Sequence, residues 1–447
     1  MDLTVVAGTA GAGTVDKLAP SAPRTLAEAH LSESMLVDLL VRLLARAGEL
    51  RAGEIASRLG VALSVIDPTL EFLRAEKLLE VPRRGSFDAD VAYQLTDAGR
   101  KRADDAFDKC RYVGPIPVSL HDYVARVEMQ SVKRLRVGRE AVHRALGDAV
   151  ASEAMVDRLG AAINSGRGIY LYGHSGTGKT YLAERMVRVV DGPIWVPHAI
   201  HVDGEIIQVF DPLIHHSVDD SAGPGVLDRQ VLGDRRWVKV KRPVVVTGGE
   251  LTMEMLDLEF DAHSRFYIAP PQMKANNGMM ILDDLGRQRV PVRELMNRWI
   301  VPLDRNVDYM ALHTGTKFQV PFDANVVFSS NLPPSEIGDP AFLRRLGYKI
   351  HVGPLDEGGY REVFRQACKR SNLEFDQAAA DYLIGTLHAR SGLPLYATIP
   401  HDVISKLRDR ATYLGEQPRI DGESLRWAWD LYFAADESLG TAPSLDD

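Results

Sequence analysis

The chain has 447 residues, 45% of them hydrophobic and 26% charged, with a net charge of −8. That is a globular composition with room for about three domains of ~150 residues each, and its acidic balance excludes a global electrostatic case for nucleic acid or an acidic membrane. Two cysteines, Cys110 and Cys368, exclude a disulfide framework and point to a reducing compartment. No apolar run approaches the ~20 residues needed to span a bilayer, so no membrane insertion is expected. Asp2 replaces the basic start of a signal peptide, and Val5-Val6-Ala7-Gly8 is too short for its apolar core, so the cytoplasm is the expected location.

In chain order, residues 1–29 are rich in Ala, Gly, Thr and Pro without periodicity, which predicts a disordered tail. Leu36, Leu39, Leu40, Leu43 and Leu44 then follow helical spacing. A second helix runs from Ala52 to Leu59 and stops at Gly60; a third runs from Ser64 to Leu78, with Pro68 in its early turns. Leu79–Val81 and Val91–Leu95 read as strands joined by a turn at Arg83-Arg84-Gly85-Ser86, and Thr96 caps a further helix toward Phe107. This order, together with Tyr93-Gln94-Leu95-Thr96-Asp97-Ala98-Gly99-Arg100, resembles the winged helix-turn-helix of bacterial regulators, over roughly residues 31–107 within a domain of 30–108. The resemblance implies DNA binding through the third helix. That helix carries Asp67, Glu71 and Glu76 against Arg74 and Lys77, and across 31–107 eleven Lys and Arg face thirteen Asp and Glu, a net of −2. Arg83 and Arg84 are the only well-placed basic pair. Charge therefore favours docking of a protein client, with DNA as the alternative.

Residues 109–147 read as a linker that includes stiff Gly114-Pro115-Ile116-Pro117 and a basic run from Gln130 to Arg139. Leu146 to Asn164 reads as a helix leading to the short apolar strand Gly168–Tyr172. Next comes Gly173-His174-Ser175-Gly176-Thr177-Gly178-Lys179-Thr180, the phosphate-binding pattern G-x-x-x-x-G-K-[ST]. Glycines let backbone N–H groups approach phosphate oxygens, Lys179 reaches the β- and γ-phosphates, and the Thr180 hydroxyl can hold Mg²⁺. After the loop, Tyr181 to Val187 reads as a helix, whose N-terminus adds its dipole to anion binding. ATP and Mg²⁺ are the cofactors this predicts.

Beyond it, Asp203-Gly204 between alternating runs predicts a hairpin. His198, His201, His215, His216 and Asp211 fit no compact zinc spacing and read as surface or packing groups. Residues 217–241 read as a polar loop, and Pro243–Thr247 as a short strand. Gly278-Met279-Met280-Ile281-Leu282-Asp283-Asp284-Leu285 is a buried strand ending in two carboxylates. It resembles a Walker B, which implies that Asp283 holds Mg²⁺ and Asp284 polarises the attacking water. Asp284 is one methylene shorter than the Glu usual there. Phe322–Leu332 gives a strand ending at Asn331, which matches a sensor 1 group near the γ-phosphate, and Asp339–Leu346 holds the pair Arg344-Arg345.

P-loop, Walker B, sensor 1 and an arginine pair in that order resemble an AAA+ ATPase. The stretch Phe266–Gly278 is similar to the approach to Walker B in MoxR-like, magnesium-chelatase-like and enhancer-binding members. The resemblance implies an α/β fold: a P-loop core with a parallel sheet over 148–354 and an α-helical lid over 355–436, preceded by the winged-helix α+β domain, with 437–447 disordered. It further implies that Arg344 and Arg345 act as fingers on a neighbouring subunit's ATP, so that the chain works as a homo-oligomer, a hexamer. Helical periodicity over 357–371, 376–390, 401–414 and 423–435 fits the lid. Pro400-His401-Asp402 stands where relatives carry Pro-Arg-Asp, so sensor 2 is altered. The reading predicts an ATPase that remodels or assembles a protein partner, with a DNA-bound regulator and a poorly hydrolysing ATP-bound scaffold as alternatives.

Overall fold

The computed structural model describes residues 19–83, 90–218, 233–337 and 340–433. Of the tails expected over 1–29 and 437–447, residues 1–18 and 437–447 lie outside these, as do Arg84, Gly85, Ser86, residues 219–232 of the expected loop and Asp339. Residues 19–29 are folded instead: Ala29 is buried, and Asp234 N donates to the Pro20 carbonyl at 3.1 Å. The chain has two compact units, one of residues 1–136, 190–281 and 288–326, the other of residues 137–189, 282–287 and 327–447.

The first unit opens with α1 (Glu33–Ala47), capped by the Ser32 hydroxyl, which accepts from Met35 N. Its apolar stripe, Leu36, Leu39, Leu40, Leu43 and Leu44, is buried. β1 (Leu50–Arg51), α2 (Ala52–Leu59) and α3 (Leu63–Ala75) follow, then β2 (Leu79–Arg83), β3 (Ala92–Leu95) and α4 (Asp97–Lys109). The three strands form an antiparallel sheet in the order β1-β3-β2. Thr96 caps α4 by accepting from Gly99 N at 3.1 Å, and a Cβ at Gly99 would strike the Leu78 carbonyl. Pro68 falls inside α3 rather than in its first turn, on the exposed side.

The segment from 109 to 147, expected as a linker, is folded. β4 (Val118–Ser119) and α5 (Leu120–Met129) bury Val118, Tyr123 and Val127 among Ile200, Ile207 and Trp237. The Ser119 hydroxyl caps α5, accepting from Asp122 N at 3.0 Å. The basic run here is bonded within the protein: Lys133 donates to the distant Asn306 side chain, and Arg136 to the nearby carbonyls of Lys133 and Leu135. α6 (Arg139–Ala145) begins the second unit, and its Arg139 pairs with Glu153 and Asp157.

α7 (Glu153–Ser165), β5 (Gly168–Tyr172) and α8 (Lys179–Met186) lead to β6 (Pro193–Pro197), β7 (Ala199–Val202) and β8 (Glu205–Gln208). The Asp203-Gly204 turn has φ +50° and +83°, both in the left-handed region that a two-residue hairpin of this hand requires. The expected loop over 217–241 ends instead in β9 (Trp237–Lys241), which pairs with β6 from Pro193 opposite Lys241 to Pro197 opposite Trp237. Trp237 and Val240 are the buried residues of this five-residue strand. The neighbouring charges Arg235, Arg236, Lys239 and Lys241 hide its strand character in the sequence.

β10 (Val244–Thr247), β11 (Glu259–Asp261), β12 (Phe266–Ile268), β13 (Met279–Leu282) and α9 (Val292–Arg305) come next, then the hairpin β14 (Val307–Ala311) and β15 (Lys317–Pro321), β16 (Asn325–Ser330) and β17 (Leu346–His351). The fold is α/β, with a parallel five-stranded sheet ordered β10-β13-β16-β5-β17. β13 and β16 are buried along their whole length, as central parallel strands with both faces covered should be. The chain ends in helices α10 (Glu357–Arg370), α11 (Gln377–Tyr382, continuing through a π-helical Leu383–His388), α12 (Thr398–Leu414) and α13 (Gly422–Phe433). Their shared core includes Tyr360, Phe364, Leu383, Val403, Leu407 and Trp429.

Candidate nucleotide site

The buried strand β5, Ile169-Tyr170-Leu171, delivers the chain into the loop Gly173–Gly178. Gly176 and Gly178 take φ of +82° and +92°, conformations that L side chains rarely adopt. A Cβ at Gly176 would also lie 2.6 Å from Thr398 Oγ1. The loop closes on itself, the Thr177 hydroxyl donating to the His174 carbonyl at 2.9 Å. Ser175, the remaining loop residue, is exposed.

Lys179, the first residue of α8, is 7% exposed. Its ammonium donates to the carbonyls of Gly173 and His174, both at 2.9 Å, and to Asn331 Oδ1 at 2.8 Å, at the end of β16. Burial pushes its pKa below the usual lysine range, against the opposing pull of Asp283 and Asp284. The Thr180 hydroxyl lies 2.9 and 3.1 Å from the two carboxylate oxygens of Asp283. Three segments distant in sequence thus bring four groups into one polar cluster: an ammonium, a hydroxyl, a carboxylate and a carboxamide. Thr180 and Asp283 are hard oxygen donors of the kind that suits Mg²⁺.

Asp284, next to Asp283, has φ +50° and an exposed side chain, 3.8 Å from the Arg287 guanidinium. Leu285 N donates to the Ser329 carbonyl at 2.8 Å, and the Ser330 hydroxyl to the Leu285 carbonyl at 2.5 Å. These two bonds stitch the turn that carries the two aspartates onto β16, one residue before Asn331.

Beside this cluster lies a cavity of about 680 Å³. Thr177, Gly178, Tyr181 and Leu182 line one side, and residues 148–152 with Met155 another. The remainder comes from the segment 352–356 after β17, from Gly359, Val363, Gln366 and Arg370 of α10, and from Ala397, Thr398, His401 and Asp402 around the start of α12. Its size falls within the usual range for small-molecule sites, roughly 300–1,000 Å³. Tyr181 sits in a polar network: its hydroxyl accepts from Arg185 at 2.9 Å and from Arg370 at 3.3 Å, and Arg185 pairs with Asp148 at 2.7 Å. Thr398 N donates to the Gly176 carbonyl at 3.1 Å, and the rings of His174 and Tyr396 lie 6.2 Å apart, so the start of α12 rests on the loop. Burial pushes the His401 pKa down, Arg370 adds to the shift and Asp402 opposes it.

Arg344 and Arg345 follow a short helix, Pro340–Leu343, and line no part of the cavity. Arg344 is exposed, and its carbonyl accepts from Arg167; Arg345 is half-buried. Among the described residues no three His, Cys, Asp or Glu side chains gather to hold an ion. His215 instead bonds Asp211 N at 2.9 Å and the Lys274 carbonyl at 3.0 Å, and packs on Phe210.

The sequence reading did not find Arg370 or Thr398. Gly359, Val363, Gln366 and Arg370 recur at helical spacing, which marks a face of α10 but does not say that the face borders a cavity.

A family described as "Domain of unknown function (DUF8689)" matches residues 356–431. No curated protein matches the chain. Among solved structures the chain is similar to NtrX from Brucella abortus, at 11% identity over 73% of this chain and 60% of that one, with a TM-score of 0.36. The same protein in complex with ADP gives 14% identity over 78% and 69%, with a TM-score of 0.39. The Thermotoga maritima RuvB Holliday junction branch migration motor gives 14% over 66% and 70%, with a TM-score of 0.34. The chain thus spans three-fifths of the NtrX chain first compared.

Proposed function

We propose that this chain is an AAA+ ATPase that binds ATP at Gly173–Tyr181 and hydrolyses it, working as a ring-shaped homo-oligomer, a hexamer. The observation that carries the reading is the meeting of Lys179, Thr180, Asp283 and Asn331 beside a cavity of nucleotide size. Backbone N–H groups of the loop and the N-terminus of α8 bind the phosphates, and Lys179 exchanges its loop carbonyls for phosphate oxygens. Thr180 and Asp283 are the residues that would hold Mg²⁺, which would supply positive charge against the phosphate oxygens. Asp284 accepts a proton from the attacking water and orients it, and Asn331 stands at the γ-phosphate end, bonded to Lys179. Arg344 or Arg345 completes the site of the adjoining subunit.

The energy of hydrolysis remodels or assembles a protein partner recruited by the winged-helix domain, in the cytoplasm. No helix among the described residues is long and apolar enough to cross a membrane. One observation favours a second reading, an ATP-bound scaffold that turns over slowly: Asp284 is short, exposed and drawn toward Arg287.

The test is calorimetry with ATP and Mg²⁺ on the full chain and on Lys179→Ala. Micromolar binding that the substitution abolishes supports the reading, because a charge-assisted phosphate contact is lost. Equal heats from the two proteins would sink it.

A further inference from the structure

Arg370 ends α10 at the wall of the cavity, 189 residues from Tyr181 in sequence but next to it in space. Its guanidinium donates to the Tyr181 hydroxyl, and no carboxylate among the described residues stands within ion-pair distance of it. Every other arginine of α10 is paired: Arg361 with Glu357 and Asp381, and Arg365 with Glu362. A guanidinium held at a cavity wall by a neutral phenol keeps most of its donors for an incoming anion. The position where a lid arginine is expected from the sequence holds His401 instead. That imidazole is half-buried; burial lowers its pKa, Arg370 lowers it further and Asp402 opposes the shift, so its charged form is disfavoured.

We propose that Arg370 is the lid's cation for the bound nucleotide, reaching its phosphate–ribose portion across Tyr181 and replacing the residue at position 401. This rests on the nucleotide reading of the cavity. Tyr181 directly follows Thr180, its phenol donates to the Asp148 carbonyl at 3.4 Å, and neither Asp283 nor Asn331 lines the cavity that Arg370 borders. Arg370 therefore meets the part that ATP and ADP share rather than the γ-phosphate. The lid senses that a nucleotide is present, and the discrimination of ATP from ADP is left to Asn331 and the neighbouring aspartates.

The experiment titrates ATP and ADP into the full chain and into Arg370→Ala, Arg370→Lys, Arg370→Ala/His401→Arg and Lys179→Ala, with thermal melts of each to verify folding. Arg370 is exposed at a helix end, so its removal leaves the core intact. The expected result is a loss of about tenfold or more in affinity for Arg370→Ala, equal for ATP and ADP, as for removal of a hydrogen bond to a charged group. Arg370→Lys keeps part of the affinity, and His401→Arg in the Arg370→Ala background restores part of it by returning a cation from α12. Affinity within twofold of the parent in Arg370→Ala overturns the proposal, as does a loss confined to ATP. If Lys179→Ala also binds like the parent, the nucleotide reading itself has failed, which separates the two failures.

Discussion

His215 places an imidazole that is 1% exposed between Asp211 and the Lys274 carbonyl, with the Lys274 ammonium nearby. Burial lowers its pKa from 6.5 to about 4. The unfolded chain therefore binds more protons than the folded one between these values. The contribution to stability is complete above pH 6.5 and is lost as pH falls toward 4. At pH 5 the loss is about 2 kcal/mol, at 1.36 kcal/mol per unit. Urea midpoints at pH 7 and pH 5 check this: the parent should lose more across that interval than His215→Gln, which can still donate and accept. Parallel losses would show that His215 titrates normally. At the same scale, Lys179 illustrates what a motif cannot say: the pattern names the lysine, but only the fold shows its three donors engaged by Gly173, His174 and Asn331.

Among elements, α3 decides what the N-terminal helices and small sheet can touch. Its exposed side chains include Asp67, Glu71 and Arg74, a face unfavourable to phosphate. On β2, Arg83 is exposed and lies 3.8 Å from Glu49, which offsets part of its charge. Each phosphate neutralised steepens the dependence of log K on log salt by about 0.9, and non-specific binding lies at roughly 10⁻⁴–10⁻⁶ M. Fluorescence anisotropy of the full chain with genomic duplexes at physiological salt should therefore give nothing tighter than that range. Sub-micromolar binding that falls in Arg83→Glu and varies with sequence would reverse the assignment to a DNA regulator. The helices of this region were legible because their apolar stripes repeat every three to four residues. α5 and β9 were not: a ten-residue helix after a proline-rich stretch and a five-residue strand among charges leave too short a pattern, and both are held by long-range burial of Tyr123, Val127, Trp237 and Val240.

At the level of the whole molecule, Arg344 and Arg345 are the residues whose proposed work lies outside their own chain. Neither lines the cavity, and the Arg344 side chain is exposed. If they serve a neighbouring subunit, Arg344→Ala or Arg345→Ala abolishes turnover while ATP binding stays intact. Mixing such a variant with Lys179→Ala then restores part of the activity, since hybrid interfaces pair an intact loop with an intact arginine. Steady-state ATPase assays across mixing ratios, with subunit exchange verified by labelled chains, read this directly. Absence of rescue at every ratio would mean that the arginines act only locally.

The buried strands and the terminal helices could be read from the sequence because each rests on a local signal, whereas the α/β class and its parallel sheet were implied by the resemblance of the motifs to AAA+ ATPases. Apolar runs bounded by glycine mark the buried strands, and helical periodicity marks the helices. A loop such as Gly173–Thr180 is constrained residue by residue by the backbone conformation it must adopt. What the tertiary structure alone decided is which distant groups share a space. Asn331 meets Lys179 because β16 pairs with β5, and Asp283 meets Thr180 because the turn after β13 is bonded to β16. Arg370 borders the cavity because the packing of α10 turns that face toward Tyr181. Such meetings depend on chain closure over a hundred residues or more, and a sequence carries no short-range mark of them.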